Sequence, residues 1–345
     1  MNQNRTVGVL IGLVLFMGLL VLLLGGLAAY LLYREPLNAP LSLTTQEATT
    51  VLPAVQQATE PPAPTPTTQT RSVEIVPEKK PTETCGNTGT LTVLFTGVDN
   101  STGEWPLGAD SVRVVKFDFD QKKMVVVAFP RDLWVETAGL ASQNMPESKL
   151  GLAYHYKWQS TLGSDKHRVT TATTLVGQSL YDTFGLAPQS YFTMQLDNVA
   201  EMIDTVGGVE IDNPAAFTSE YGVYFPAGVQ TMDGARAKEY VRAFVEGDDV
   251  RLQRQNLFIK ALQDRVTSTN VLTGMPDLIK QFDKAINTDL SPKQITDLAC
   301  MAKEVPQDQV EFYEVYGNLV TTRADGALVP DIELVTTRLH EWLEE

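Results

Sequence analysis

Three apolar runs decide the fold: TLTVLFTGVD at 90–99, SVRVVKFDFD at 111–120 and KKMVVVAFPRD at 122–132. Each is short and built from Val, Leu and Phe in alternating or continuous order, which is the signature of strands. The connection FDQKK between the second and third is hairpin-short. Downstream the period changes. HRVTTATTLVGQSLYDTFG predicts a helix ending at Gly185, SYFTMQL a strand, DNVAEMIDTV a helix and GGVEI a turn into another strand. DGARAKEYVRAF predicts a helix capped by Asp233, and amphipathic helices are expected around 274–303. VEFYEVY then reads as a strand and DIELVTTRLHEWL as a closing helix, while the stretch between the third strand and His167 reads as irregular. With no internal repeat and no second linker, residues 89–345 are expected to form one α/β domain: a mixed central β-sheet covered by helices on both faces.

The chain before this domain is of another kind. Residues 8–33, GVLIGLVLFMGLLVLLLGGLAAYLLY, carry no charge, and about 20 such residues suffice to cross a bilayer. A cleaved secretory signal has an apolar run of only about 7–15 residues before its small-residue cleavage site. This run continues past Ala28 and Ala29 through LLY, which predicts an uncleaved transmembrane helix. Arg5 precedes it and Arg34 follows it, but the tail 1–7 has no acid and the long downstream part is acidic. The expected arrangement is a single-pass cell-membrane protein, tail in the cytoplasm and domain extracellular. Residues 34–88, rich in Pro and Thr, predict an extended, disordered extracellular linker.

Net charge is -15 for the whole chain, with 27 Lys and Arg against 42 Asp and Glu. Residues 1–88 hold five of the bases and six of the acids, which leaves 22 and 36, a net of -14, for the domain. Such a surface excludes nucleic acid and anionic lipid as bulk-charge partners. Any anion must be gripped by a local cluster. The two cysteines, Cys85 and Cys300, lie before the first strand and in a late helix, and a disulfide between them is expected outside the membrane.

EGDDVRLQRQ, 246–255, supplies such a cluster. On a helix of about 3.6 residues per turn, Arg251 and Gln255 share a side with Phe258, Ile259, Leu262 and Val266. Gln253, Asn256, Lys260 and Asp264 take the opposite side. Arg251 is therefore expected to point inward, where a guanidinium needs an anion. That anion is either Asp248, as a buried structural pair, or a ligand. Other candidates are spread along the chain. Asp99 and Asp110 fall at strand ends, where two carboxylates can hold a hard cation or simply cap turns. Arg131 and Asp132 end the third strand, Lys149 and His155 lie in SKLGLAYHY, and Arg242 lies in EYVRAF. There is no phosphate-cradling glycine loop, nucleophile-elbow serine or helical zinc pair, and His155, His167 and His340 have no metal spacing.

In this order LTVLFTGVD, DSVRVVKFD, VVVAFPRDLWV, KLGLAY, TVGGVEID, AGVQTMDGARAKEYVR and DDVRLQRQ resemble the LytR-CpsA-Psr family over 91–266. The resemblance implies a phosphotransferase that moves a glycopolymer, with its linking phosphate, from a polyprenyl (pyro)phosphate carrier to a cell-wall hydroxyl such as one on peptidoglycan. It implies Mg2+ (or Mn2+) on Asp99 and Asp110. It further implies pyrophosphate held by Arg131, Lys149, Arg242, Arg251, Arg254 and Gln255, with Arg131, Asp248 and Arg251 catalytic. The chain departs from the family in four places. Gly108 and Ala109 stand where an arginine usually precedes the second acid, Phe244 replaces the second arginine of an Arg-x-Arg pair, the loop from there to Asp248 is short, and Gly151 stands where asparagine is common. Two other activities are compatible with these losses: a non-catalytic lipid-binding or regulatory envelope protein, and a lipid pyrophosphate hydrolase.

Overall fold

The computed structural model describes residues 33–44, 85, 87–99, 108–268 and 286–344. The apolar run expected to cross the membrane lies outside these residues apart from Tyr33, and among the described residues no helix is long and apolar enough to cross a membrane.

The three opening runs are the middle of a six-stranded sheet. Strands β1 (Thr90–Val98), β2 (Ala109–Asp118) and β3 (Lys123–Phe129) pair antiparallel in sequence. β6 (Ser190–Gln195) adds parallel to β1, β11 (Ile286–Thr288) antiparallel to β6, and β12 (Val310–Glu314) parallel to β3. The order β11-β6-β1-β2-β3-β12 is a mixed sheet. Both faces are buried. Leu94, Val98, Val112, Val114, Val125 and Val127 pack beneath helices α1 (Leu150–Ser160), α2 (Asp165–Phe184) and α7 (Ile332–Glu344). Val93, Val115, Phe117, Met124 and Val126 face α6 (Pro292–Glu304) on the other side. This explains why apolar residues occur on both faces of these strands, most plainly in MVVVAF of β3.

Capping set several helix ends as expected. Asp233 Oδ1 accepts the Arg236 N–H at 2.8 Å to start α4 (Gly234–Arg242), and Gly185 closes α2 at φ +73°. Two expectations are corrected. The irregular stretch contains α1, whose Leu150, Gly151, Ala153, Tyr154 and Trp158 are buried on more than one side, so no amphipathic period is visible. Within 274–303, Ile286–Thr288 is an edge strand, α6 follows from a Ser291 capping box, and 269–285 lie outside the described residues. A smaller core of Ile203, Ile211, Phe217, Phe225 and Tyr240 joins α3 (Leu196–Thr205), α4, α5 (Asp248–Ser268), the pair β7 (Val209–Asn213) and β10 (Gly228–Met232), and the hairpin β8 (Phe217–Thr218) to β9 (Tyr224–Phe225).

Residues 34–44, expected within the linker, and Tyr33, expected at the end of the membrane span, are instead seated on the domain. Tyr33 donates to Thr296 Oγ1 at 2.9 Å, Asn38 to Asn287 Oδ1 at 2.8 Å and to the Thr288 carbonyl at 2.9 Å. The Leu41 N–H donates to Asp289 Oδ2 at 2.8 Å, and its side chain joins the core under α2. Burial pushes the Asp289 carboxyl above its usual range against the opposing pull of the Tyr191 and Leu41 N–H groups. Leu41→Asp, which puts a carboxylate into the core under α2 in place of an apolar contact, is expected to cost about 2 kcal/mol. A thermal melt checks this, and an unchanged midpoint would show that the segment contributes nothing.

Candidate functional site

The site forms where β1 ends and β2 begins. The register runs from Gly97↔Ser111 to Val98↔Ala109, so Asp110 is an extra residue in a bulge, while Asp99 follows Val98 directly. Bulges re-aim side chains, and this one sets Asp110 against Arg131, whose Nη1 lies 2.6 Å from Oδ1. Asp99 is buried and meets Arg242 Nη2 at 2.9 Å, from the last turn of α4. The two acids expected to hold a cation thus share one end of adjacent strands, each against a guanidinium.

Arg131 leaves β3 just after Pro130. Asp132 lies beside it, 3.8 Å from Nε, and reaches Lys149 Nζ at 2.8 Å, so Asp132 links the two expected phosphate ligands. Burial pulls the Arg131 pKa down, but Asp110 and Asp132 outweigh it and hold the group above its usual value. Two of the departures read in the sequence turn out to be one feature. A Cβ on Gly108 would meet the Gly151 carbonyl oxygen at 2.7 Å, and one on Gly151 would meet the Ala109 carbonyl oxygen at 2.8 Å and Arg131 Cβ at 3.0 Å. Gly108 also adopts φ +135°. The start of α1 therefore packs backbone to backbone against β2 and Arg131, and the Gly151 N–H donates to the Arg131 carbonyl at 2.8 Å.

Helix α5 brings the third group. Arg251 and Gln255 point inward as the helical spacing predicts, Arg251 being 3% exposed. Arg251 Nη2 lies 2.5 Å from Asp248 Oδ1, and apart from this ion pair the buried Asp248 oxygens have no hydrogen-bond partner among the described residues. Burial raises the Asp248 pKa, and the attraction of Arg251 and Arg131 only partly offsets it. Arg254 goes elsewhere: it donates to the Ala243 carbonyl, lies 3.6 Å from Glu246 and stacks 4.5 Å from the Phe217 ring centroid, so it braces the loop between α4 and α5. Gln255 also makes a bond within the protein at each end of its amide. Its Oε1 accepts from Arg113 Nη1 at 2.8 Å and its Nε2 donates to the Val241 carbonyl at 3.2 Å.

Phe244 sits among these cations. Its ring, in a residue 44% exposed, has the Arg131 guanidinium 5.6 Å and the Arg251 guanidinium 5.4 Å from its centroid, and Arg242 similarly lies 5.2 Å from the Tyr221 ring. The position that lost an arginine therefore holds an aromatic contact shared by two others.

Sequence reasoning singled out every member of this cluster except Arg113, Asn256 and Glu314. Arg113 Nη2 donates to Asn256 Oδ1 at 3.1 Å, and Asn256 Nδ2 donates to Glu314 Oε1 at 2.9 Å. The available signal was a charge flanked by Val112 and Val114 near the middle of β2.

Taken by charge, Arg113, Arg131, Lys149, Arg242 and Arg251 face Asp99, Asp110, Asp132, Asp248 and Glu314, five against five, so the cluster is near neutral. Paired carboxylates at adjacent strand ends are oxygen donors suited to a hard divalent ion, and their present partners are cations a diphosphate could take over. The donor set therefore fits Mg2+.

The LytR_cpsA_psr family model matches residues 57–339. The polyisoprenyl-teichoic acid–peptidoglycan teichoic acid transferase TagU of Oceanobacillus iheyensis is 27% identical over 212 residues, 60% of this chain and 61% of that protein. TagV of Bacillus subtilis, of the same description, is 26% identical over 210 residues, 58% of this chain and 50% of that protein. Less than two thirds of either relative is thus spanned. Among solved structures, B. subtilis TagV superposes with a TM-score of 0.60 at 22% identity, covering 75% of this chain and 98% of that one. A LytR-Csp2A-Psr enzyme from Actinomyces oris gives 0.53 at 19% identity, covering 72% and 89%. These structures share the mixed sheet and its helices.

Proposed function

We propose that this chain, which belongs to the LytR-CpsA-Psr family, transfers a glycopolymer with its linking phosphate from a polyprenyl (pyro)phosphate carrier to a cell-wall hydroxyl such as one on peptidoglycan. The observation that carries this reading is the gathering of Arg131, Arg242 and Arg251, remote in sequence, beside Asp99 and Asp110 at one end of the sheet. Phosphoryl transfer is mostly positioning and charge neutralisation, and planar guanidinium groups match phosphate oxygens two at a time. A Mg2+ (or Mn2+) ion held by Asp99 and Asp110 would supply the neutralising charge that these carboxylates now draw from Arg242 and Arg131.

The chain's own residues divide the remaining work. Arg131, Arg242 and Arg251 grip the diphosphate, with Lys149 adding charge through its place beside Asp132. The acceptor oxygen forms its bond to the phosphorus that carries the glycan. The bond from that phosphorus to the bridging oxygen breaks, and polyprenyl phosphate leaves. Asp248 takes the hydroxyl proton, since its oxygens are buried, short of hydrogen bonds and more basic than those of an ordinary carboxylate. Placement of the domain outside the membrane is supported by its Cys85–Cys300 disulfide, which persists in oxidising compartments.

Asp248→Asn tests the base. A carboxyl raised in the folded state favours its proton there, so its contribution to stability is full below the unfolded value near pH 3.8 and is lost as pH rises through the folded value. The amide stays neutral throughout. The variant is therefore expected to melt no lower than wild type at pH 7 while transfer falls about a hundredfold; wild-type rates in the variant would remove Asp248 from the chemistry.

Assay of purified full-length protein with a polyprenyl-diphosphate glycan and peptidoglycan tests the whole reading: glycan-phosphate on the polymer is expected, and phosphate release without acceptor would indicate hydrolysis instead. One observation favours a binding protein without turnover, namely Phe244 lying against Arg131 and Arg251. Product formed by Phe244→Arg but not by wild type would decide for it.

A further inference from the structure

Arg113 is a buried charge in the middle of a strand. It lies in the middle of β2, opposite Phe95 on β1 and Ala128 on β3, on the same face as Val115 and Phe117, and is 4% exposed. Burial lowers its pKa to about 10, with Glu314 acting to hold the charge, so it remains a cation at neutral pH. Replacing a whole buried ion pair by apolar side chains is often neutral, but removing Arg113 alone leaves Gln255 Oε1, Asn256 Oδ1 and the Glu314 carboxylate without their cation, which is costly. A methionine there would extend the apolar face of the strand.

What the guanidinium does is orient an amide. It can only donate, so Gln255 must turn Oε1 toward Arg113 Nη1, 2.8 Å away, and its NH2 then points to the Val241 carbonyl at 3.2 Å. Val241 directly precedes Arg242 in the last turn of α4, and Gln255 lies one turn beyond Arg251 on α5. The second arm of the fork holds Asn256 at 3.1 Å, and the remaining contact is to Ser111, next to the bulged Asp110. One buried fork thus ties the sheet, the end of α4 and the first turns of α5, the three places from which Asp110, Arg242 and Arg251 reach the site.

We propose that Arg113 is a positioning residue for the diphosphate site, acting through Gln255 to set Arg242 against Arg251. The inference rests on the proposed function only in taking the ligand to be a diphosphate. It also gives Gln255 a supporting role, since both ends of its amide are already used by protein groups.

The test uses full-length protein in nanodiscs with Mg2+, inorganic pyrophosphate as the probe, calorimetric titration for affinity and a thermal melt for stability. Arg113→Met leaves Gln255 Oε1 and Asn256 Oδ1 without their donor and is expected to melt below wild type, yet in the fully folded range well under that temperature it is expected to bind about tenfold more weakly, a loss that a purely structural role would not produce. Gln255→Leu is expected to show the same loss, and the double variant no more than either alone, because both break one connection. Arg113→Lys, which keeps the charge but lacks the planar fork, is expected to recover only part of the affinity. Wild-type affinity in Arg113→Met, or losses that add in the double variant, would overturn the proposal. If Arg113→Met fails to fold, Gln255→Leu decides alone, and unchanged binding there overturns it equally. A wild type that does not bind pyrophosphate sinks the proposed function and this inference with it, whereas a wild type that binds beside an unaffected Arg113→Met sinks only the inference.

Discussion

Arg131→Ala is expected to lower transfer from a lipid-diphosphate donor at least a hundredfold, with a melting temperature close to that of wild type. The size follows from what leaves together. Preorganised donors aimed at developing charge are each worth on the order of 10²–10³ in rate, and Arg131 is such a donor, kept charged by Asp110 and Asp132 beside it. Its removal also strips Asp110 of its cation and leaves Asp132 to Lys149 alone. Stability should change little, because Arg131 and Asp110 are both partly exposed, and ion pairs in that setting contribute about 0–1 kcal/mol. Arg131→Lys should recover little of the rate, since an ammonium cannot span two phosphate oxygens as a guanidinium does. Initial rates with a polyprenyl-diphosphate glycan and peptidoglycan, alongside a melt, check both halves. Equal rates in wild type and Arg131→Ala would take this residue out of the mechanism.

How much of this was legible in the sequence depends on how local each cause is. Strands β1 to β3 were plain because both their faces are buried, so hydrophobicity alone marks them. The inward aim of Arg251 and Gln255 was plain because it needs only the period of one helix. Helix α1 was hidden since Leu150, Ala153, Tyr154 and Trp158 bury different sides of it, which erases the periodic signal. Gly108 and Gly151 looked like two separate losses; only the fold shows that Gly108 leaves room for the Gly151 backbone and Gly151 for those of Ala109 and Arg131. The Arg254 direction was illegible for a similar reason. One helical residue from Gln255, it answers to Ala243 and Phe217, and nothing in the spacing of EGDDVRLQRQ distinguishes a residue aimed at a loop from one aimed at a ligand. The docked segment 33–44 was concealed by composition, since its Pro and Leu residues continue into a Pro- and Thr-rich stretch with no change of character.

Removing the Cys85–Cys300 bridge is expected to have the largest effect on stability and a small one on the site. The bond, expected from the placement of two lone cysteines, closes a loop with a sequence separation of 215, for which the chain-entropy model gives about 5 kcal/mol as an upper figure. At about 2–4 °C per kcal/mol for a domain of this size, Cys85→Ser with Cys300→Ser should melt roughly 10 °C lower than wild type, and reduced wild type should match it. Noncovalent contacts limit the loss: Asn87 Nδ2 still donates to Asp297 Oδ2 at 3.1 Å on the same helix, α6, and Leu298 and Met301 still pack on the sheet. Position separates this effect from catalysis. The bridge lies before the first residue of β1, whereas Asp99 follows its last, and nine strand residues at about 3.3 Å each put them about 30 Å apart. Well below the lowered melting temperature, transfer by the double variant should therefore stay within about twofold of wild type. A variant that melts normally, or free thiols in protein recovered from an oxidising compartment, would refute the bridge's role. A variant that melts low and is also inactive when cold would show that the amino-terminal edge of β1 helps set the geometry at its far end.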